Sequence, residues 1–251
     1  MTVPEFPHLD GVEHRFVEPP GLRMHVAEAG AGEPLLLLHG FPQNWWGWYK
    51  VLPALAQRYR VIAPDWGALV GFLLCLNHPH RVERYVSLAI PHLFVKFNPR
   101  LMAALPRLWF QYAIAAPVVG PFLLGRAGQP MARYLFDHYT SDRSAFTAQD
   151  RELFVAPFRD PARAKSGSAL YRNFIVPLFP RVMFGRYRSM RLSTPTLILY
   201  GSEDPNMTEA ILQGYEDHAD DLTIEEVDGA SHFIADEKPA AVIDRAMKFF
   251  G

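Results

Sequence analysis

The spacing of hydrophobic positions changes several times along this chain, and each change marks an element. Residues 13–18 (EHRFVE) and 22–28 (LRMHVAE) alternate apolar with polar around Pro-Pro-Gly. Alternation across a turn signal predicts an antiparallel hairpin. Residues 34–38 (PLLLL) contain no polar position before His39-Gly40. A short unbroken apolar run predicts a strand covered on both faces, hence parallel and central. Residues 44–57 predict a helix starting at Asn44 and kinked at Pro53. The run YRVIAPD then predicts a strand, 66–77 a helix closed by Pro79, and 82–90 (VERYVSLAI) another strand. Towards the C-terminus come a strand at 194–201 (TPTLILYG), a helix near 208–219, a strand at 222–229 (LTIEEVDG) and a helix from Pro239 to Phe250. Strands and helices alternating at these spacings build βαβ units on a parallel sheet, which the leading hairpin makes mixed. The predicted class is α/β, with helices on both faces of a mostly parallel sheet.

Residues 92–190 break this rhythm. They read as helical pieces bounded by Pro106, Pro117, Pro130, Pro157, Pro161, Pro177 and Pro180. The expected division is therefore a core of residues 1–91 and 191–251, carrying a helical lid of residues 92–190. Long insertions in such folds usually sit over the C-terminal ends of the strands, where ligands bind.

Composition narrows the function. The 251 residues are 49% hydrophobic and 20% charged, enough for one domain with a full core. A formal net charge of −1 gives no electrostatic case for nucleic acid or an anionic membrane. No apolar run is long enough to span a bilayer, and the N-terminus lacks the pattern of a signal peptide. The single cysteine, Cys75, excludes an internal disulfide and points to a reducing compartment, so a cytoplasmic location is expected. Neither GxGxxG nor a P-loop occurs, and no cluster has metal-ligand spacing. No cofactor and no metal are expected.

Four clusters fall at the expected C-terminal strand ends: His39-Gly40-Phe41-Pro42, Asp65-Trp66-Gly67, Gly201-Ser202-Glu203-Asp204 and Gly229-Ala230-Ser231-His232. A nucleophile at a strand-to-helix turn needs small residues two before and two after it, because the backbone turns sharply. Ala63 and Gly67 flank Asp65 in that way. An N-cap aspartate would give the same local pattern. His232 is placed to act as a general base and Asp204 to orient it. The order Asp65, Asp204, His232 is nucleophile, acid, base. The N–H groups of Phe41 and Trp66 are candidates for an anion hole.

HGFPQNWWGWYKVLP, DWGALVGF, Tyr171-Arg172-Asn173-Phe174, GSEDP and DGASHF together resemble the epoxide hydrolase branch of the α/β-hydrolase superfamily. The likeness covers nearly the whole chain. It implies Asp65 as nucleophile, Asp204 as acid, His232 as base and Tyr171 as one of two lid tyrosines that bind and protonate the epoxide oxygen. By the same resemblance the second tyrosine falls at Phe110, followed by Gln111, so Tyr112 or His138 would have to stand in. It further implies that an excursion of a few dozen residues is missing between RVIAPD and WGALVG, leaving one strand and one helix fewer than usual. Asp65 can therefore correspond to either of two family aspartates. The implied substrate is a small apolar epoxide, opened to an enzyme ester and hydrolysed to a diol. Haloalkane-type dehalogenation by the same triad and a catalytically silent protein of the same fold are the alternatives; homodimerisation is left open.

Overall fold

The computed structural model describes residues 6–21, 23–64, 69–95 and 105–251. Strands β1 (Val12–Val17) and β2 (Met24–Ala29) form the N-terminal hairpin, with Val12 opposite Ala29 and Val17 opposite Met24. Strand β4 (Arg60–Pro64) pairs antiparallel with β2 on one side and parallel with β3 (Pro34–Leu36) on the other. The order in this sheet is β1-β2-β4-β3. A second, wholly parallel sheet has the order β5-β6-β7, from Tyr85–Leu88, Thr196–Gly201 and Leu222–Val227.

Two sheets replace the one expected, and the break falls at the run PLLLL. That run was expected to be central and covered on both faces. Instead β3 is an edge, and Leu36 is 49% exposed. A strand becomes central only when the chain supplies a neighbour on each side. Only residues 65–68 separate β4 from the helix Leu69–Asn77, too few for another helix and strand. Among the described residues nothing pairs with the second edge of β3 or of β5.

The helix expected over 44–57 is also interrupted. Asn44 caps a 3₁₀ turn, Trp45–Trp48, by accepting from the Trp46 N–H, and a separate turn of α-helix covers Leu52–Leu55. Pro53 lies in the first turn of the second piece, where its missing N–H costs nothing. The helix expected near 208–219 shrinks to Glu209–Leu212, and Gly214 follows with φ +92°. The C-terminal helix Pro239–Phe250 forms at full length.

Between β5 and β6 the described chain is helical: Trp109–Ala115, Val119–Gly125, Pro130–His138, Ala148–Val155, Pro161–Leu170 and Val176–Met183. Buried rings tie this insertion to the sheets. Phe136 stacks on Phe233 at 4.9 Å and on Phe154 at 5.2 Å. Two buried carboxylates complete the attachment. Asp150 accepts from Trp46 Nε1 at 2.9 Å and from the Thr147 N–H at 2.9 Å. Burial works against its charge, but the bonds from Trp46 and Thr147 prevail and hold its pKa below the usual range. Glu237 Oε2 accepts from the Ser141 N–H, Ser141 Oγ and the Ser231 N–H, at 3.0, 2.6 and 3.2 Å.

Candidate active site

The best-defined chemistry lies beyond the ends of β6 and β7. β6 ends at Gly201, and a Cβ there would fall 2.2 Å from the Ala230 carbonyl oxygen. Only glycine lets the loop after β6 approach the loop after β7 so closely. The Glu203 N–H then donates to Ala230 O at 2.9 Å, and the Gly229 N–H to Ser202 Oγ at 2.9 Å. This brings Asp204 and His232 together. His232 Nδ1 lies 2.9 Å from Asp204 Oδ2. A carboxylate only accepts, so Nδ1 carries the proton and donates it. That leaves Nε2 as the basic nitrogen. The Asn206 N–H donates to Asp204 Oδ1 at 2.9 Å, so both carboxylate oxygens are engaged.

The helical insertion supplies the other wall. The His232 N–H donates to Tyr139 O at 3.1 Å, and the two rings are 5.9 Å apart. A cavity of about 280 Å³ opens here, lined by Gly40, Phe41, Phe110, Tyr139, Tyr171, Phe174 and His232 among others. Gln111 and Val70 also reach it. Tyr171 is buried on a π-helical turn, Tyr171–Ile175, with its ring 5.1 Å from Phe41. Such turns widen the helix and often mark functional positions. Burial, with a smaller contribution from Tyr139, pushes the Tyr171 hydroxyl up, so it stays a neutral donor. His39 does not face this cavity; its Nδ1 lies 3.0 Å from Gly40 O. Pro42 follows Phe41 through a cis peptide bond.

Asp65, the expected nucleophile, and Trp66, half of the expected anion hole, lie outside the described residues. β4, which leads to Asp65, pairs antiparallel with β2 on one side and parallel with β3 on the other. The two stand-ins for the second lid phenol need correction. Tyr112 is exposed, and exposed His138 stacks on Tyr134 at 5.1 Å. Tyr112 projects outward because Phe110 and Ile114, on the same helix, take the inward face. The phenol that does line the cavity is Tyr139, which sequence reasoning missed. Its hydroxyl lies 3.4 Å from Arg107 O, and burial raises its pKa. The signal lies in YLFDHY, where Tyr139 falls one turn beyond adjacent Leu135 and Phe136, and all three are buried. Cavity-lining His92 was also missed. Its Nδ1 accepts from the Phe94 N–H and its Nε2 faces Leu212 O, so both nitrogens hold backbone, and burial lowers its pKa.

A model of the alpha/beta hydrolase fold matches residues 33–66 and 65–239. The chain belongs to the α/β-hydrolase fold family. It is 26% identical to the AB hydrolase superfamily protein YfhM of Bacillus subtilis over 290 residues, covering 93% of this chain and 96% of that one. It is also 26% identical to the soluble epoxide hydrolase of Corynebacterium sp. over 275 residues, covering 92% and 94%. Both alignments exceed the 251 residues of this chain, so these relatives carry residues that it lacks. The two stretches of the α/β-hydrolase match meet at residues 65–66, between β4 and the helix Leu69–Asn77. Among solved folds, the epoxide hydrolase CorEH superposes with a TM-score of 0.79 at 24% identity, covering 95% of this chain and 98% of that one. Cfl2 of Burkholderia cenocepacia also superposes with a TM-score of 0.79, at 22% identity, covering 98% of each chain.

Proposed function

We propose that this α/β hydrolase opens small apolar epoxides through an ester on Asp65. The observation that supports this best is the Asp204–His232 pair facing a cavity roofed by buried phenols. In this reading residues 92–190 act as a lid. The Asp65 carboxylate attacks a ring carbon, the C–O bond breaks, and the phenol of Tyr171 donates to the departing alkoxide. Tyr139 is the second phenol, in place of the residue lost at Phe110. His232 Nε2 then takes a proton from water, and the hydroxide adds to the ester carbonyl. The N–H groups of Phe41 and Trp66 hold the resulting oxyanion. Collapse of that intermediate passes the imidazolium proton to the leaving alkoxide and releases the diol, and the acid left on Asp65 returns its proton to the Tyr171 phenolate, so that all three groups are restored. No step calls for a cofactor. A volume of about 280 Å³ suits a small substrate.

The test uses styrene oxide and mass spectrometry. His232→Gln should trap an adduct of the chain plus one epoxide, mapped to the peptide containing Asp65. Asp65→Ala should show neither adduct nor turnover. An adduct on another carboxylate would reassign the nucleophile. Halide release from a haloalkane without epoxide turnover would shift the reading to dehalogenation.

A further inference from the structure

A second cavity, larger than the one at His232, lies in the gap between the two sheets. It has a volume of about 510 Å³ and is lined by residues 33–38 along β3 and 81–88 along β5. Trp48, Val51, Leu55 and Phe250 wall it from some of the covering helices, and Leu74 and Cys75 from another. We propose that this slot binds an extended apolar segment of a second polypeptide, taken up as a parallel strand that joins the two sheets.

Three observations on the slot carry this. The first is direction. Gly40-Phe41 beyond β3 and Ala89-Ile90 beyond β5 line the same cavity near His232, so the two facing edges run the same way. The second is hydrogen-bond phase. The Leu37 N–H is spent on Ile62 O, the Tyr85 N–H on Pro195 O and the Ala89 N–H on Leu199 O. Alternation along a parallel strand then aims the N–H groups of Leu36, Leu38, Val86 and Leu88 into the slot. The third is a pair of buried polar atoms, Trp48 Nε1 and Asp236 Oδ1, that have no partner among the described residues and sit on residues that line it. Asp236 is 2% exposed. Buried donors and acceptors of this kind are costly unless something satisfies them.

The same features choose the occupant. An alkyl or aromatic ligand would leave both strand edges unpaired, whereas a peptide backbone matches them on both sides. The walls of Trp48, Val51, Leu55 and Leu74 call for apolar side chains on both faces of the incoming strand. The run 34–38 sets the length at about five residues, or about 16 Å. His232 and Phe233 line both cavities, so the C-terminal end of the bound segment would arrive beside the His232 imidazole.

The probe is the peptide acetyl-Lys-Val-Val-Leu-Val-Gly-Lys-amide, titrated into the full chain. Its control replaces two valines with proline, which cannot donate to a strand edge. Saturable binding of the first peptide should change Trp fluorescence and slow hydrogen exchange at Leu36, Leu38, Val86 and Leu88. Leu36→Glu, a change at an exposed edge position, should weaken that binding at least about tenfold, because the slot would then close over a carboxylate. Equal binding of the proline peptide, protection confined to the cavity around Tyr171, or no saturable binding would each overturn the proposal. Hydrolysis of the Asp65 ester is read separately, so the two proposals can fail independently.

Discussion

The site at the ends of β6 and β7 and the gap between β3 and β5 share His232 and Phe233 in their walls, yet they are finished to different degrees. At the first, both oxygens of Asp204 are engaged, His232 is held through its ring and its N–H, and Glu237 collects four donors. At the second, among the described residues, two strand edges lack neighbours and Trp48 and Asp236 each keep an unpartnered buried atom. The polar site depends on short loops, each specified within a few residues, so removing a distant segment leaves it assembled. Sheet continuity depends on one strand being present between two others, so a single missing segment disconnects it.

The largest expected effect lies on the finished side. Asp204→Asn keeps the shape but offers Nδ1 an amide instead of a carboxylate, which no longer fixes the tautomer or stabilises the imidazolium. Hydrolysis of a preformed Asp65 ester should fall by about 10³–10⁴-fold, with the melting temperature little changed. Single-turnover decay of the ester measures this. An unchanged rate would mean that the Asp204–His232 pair is structural.

Tyr171→Phe comes next. Ring opening should slow by about 10²-fold or more, because an alkoxide leaving group needs a donor, while ester hydrolysis stays the same. Tyr139→Phe should cost a comparable factor if the two phenols share the oxygen. Loss of rate in only one of them, measured by pre-steady-state ester formation, identifies the single donor.

Glu237→Ala tests what the completed network contributes to stability. It strands the Ser141, Asp142 and Ser231 donors and loosens the insertion from the His232 loop. The loss should be about 2–4 kcal/mol by urea unfolding, the sum of several buried groups left unsatisfied. Glu237→Gln should recover part of it, because a carbonyl oxygen still accepts.

The unfinished side has a pH signature. Burial pushes the Asp236 carboxyl up to about 8, ahead of the opposing effects of Gln43 and Lys50, with the carboxylates of Asp150 and Glu237 adding to the rise. A carboxyl whose pKa is raised on folding destabilises the fold as pH climbs from its unfolded value, about 4, to its folded one. The penalty is absent below pH about 4 and complete above about 8. Asp236→Asn keeps an acceptor for Gln43, which donates to Oδ2 at 2.7 Å. It should therefore stabilise the chain by on the order of 5 kcal/mol at pH 8 and by nothing at pH about 3. Thermal unfolding across that range decides it; a pH-independent difference would mean that folding leaves the Asp236 pKa at its unfolded value.

The contrast between the two regions also shows what could be read from the sequence. Asp204, His232 and Tyr171 sit in short motifs whose residue types state their chemistry, and the alternation of strands and helices was legible from period alone. PLLLL misled because composition reports what a strand was selected to be buried against. It does not report whether that neighbour is still present. Tyr139 was missed because its role depends on which side of an insertion helix meets the sheet, a tertiary choice made by Phe136 stacking on Phe233. The 44–57 helix was overextended because the Asn44 cap and Pro53 each start a turn, and two starts were read as one helix with a kink.

The smallest expected effect is the most direct test of the gap. Leu36 and Leu37 are adjacent leucines with the same sequence neighbourhood and opposite surroundings: Leu36 is 49% exposed at the slot, and Leu37 is buried in the main core. Leu37→Ala should cost about 2–5 kcal/mol, through lost burial and the cavity left behind. Leu36→Thr should cost no more than about 0.5 kcal/mol, because it removes a side chain already half in water and keeps a β-branched residue on an edge strand. Adding the apolar probe peptide should widen the Leu36→Thr difference, since the bound strand would cover that position. If Leu36→Thr already costs as much as Leu37→Ala without peptide, β3 is covered on its second edge in solution, and the slot is occupied from within the chain.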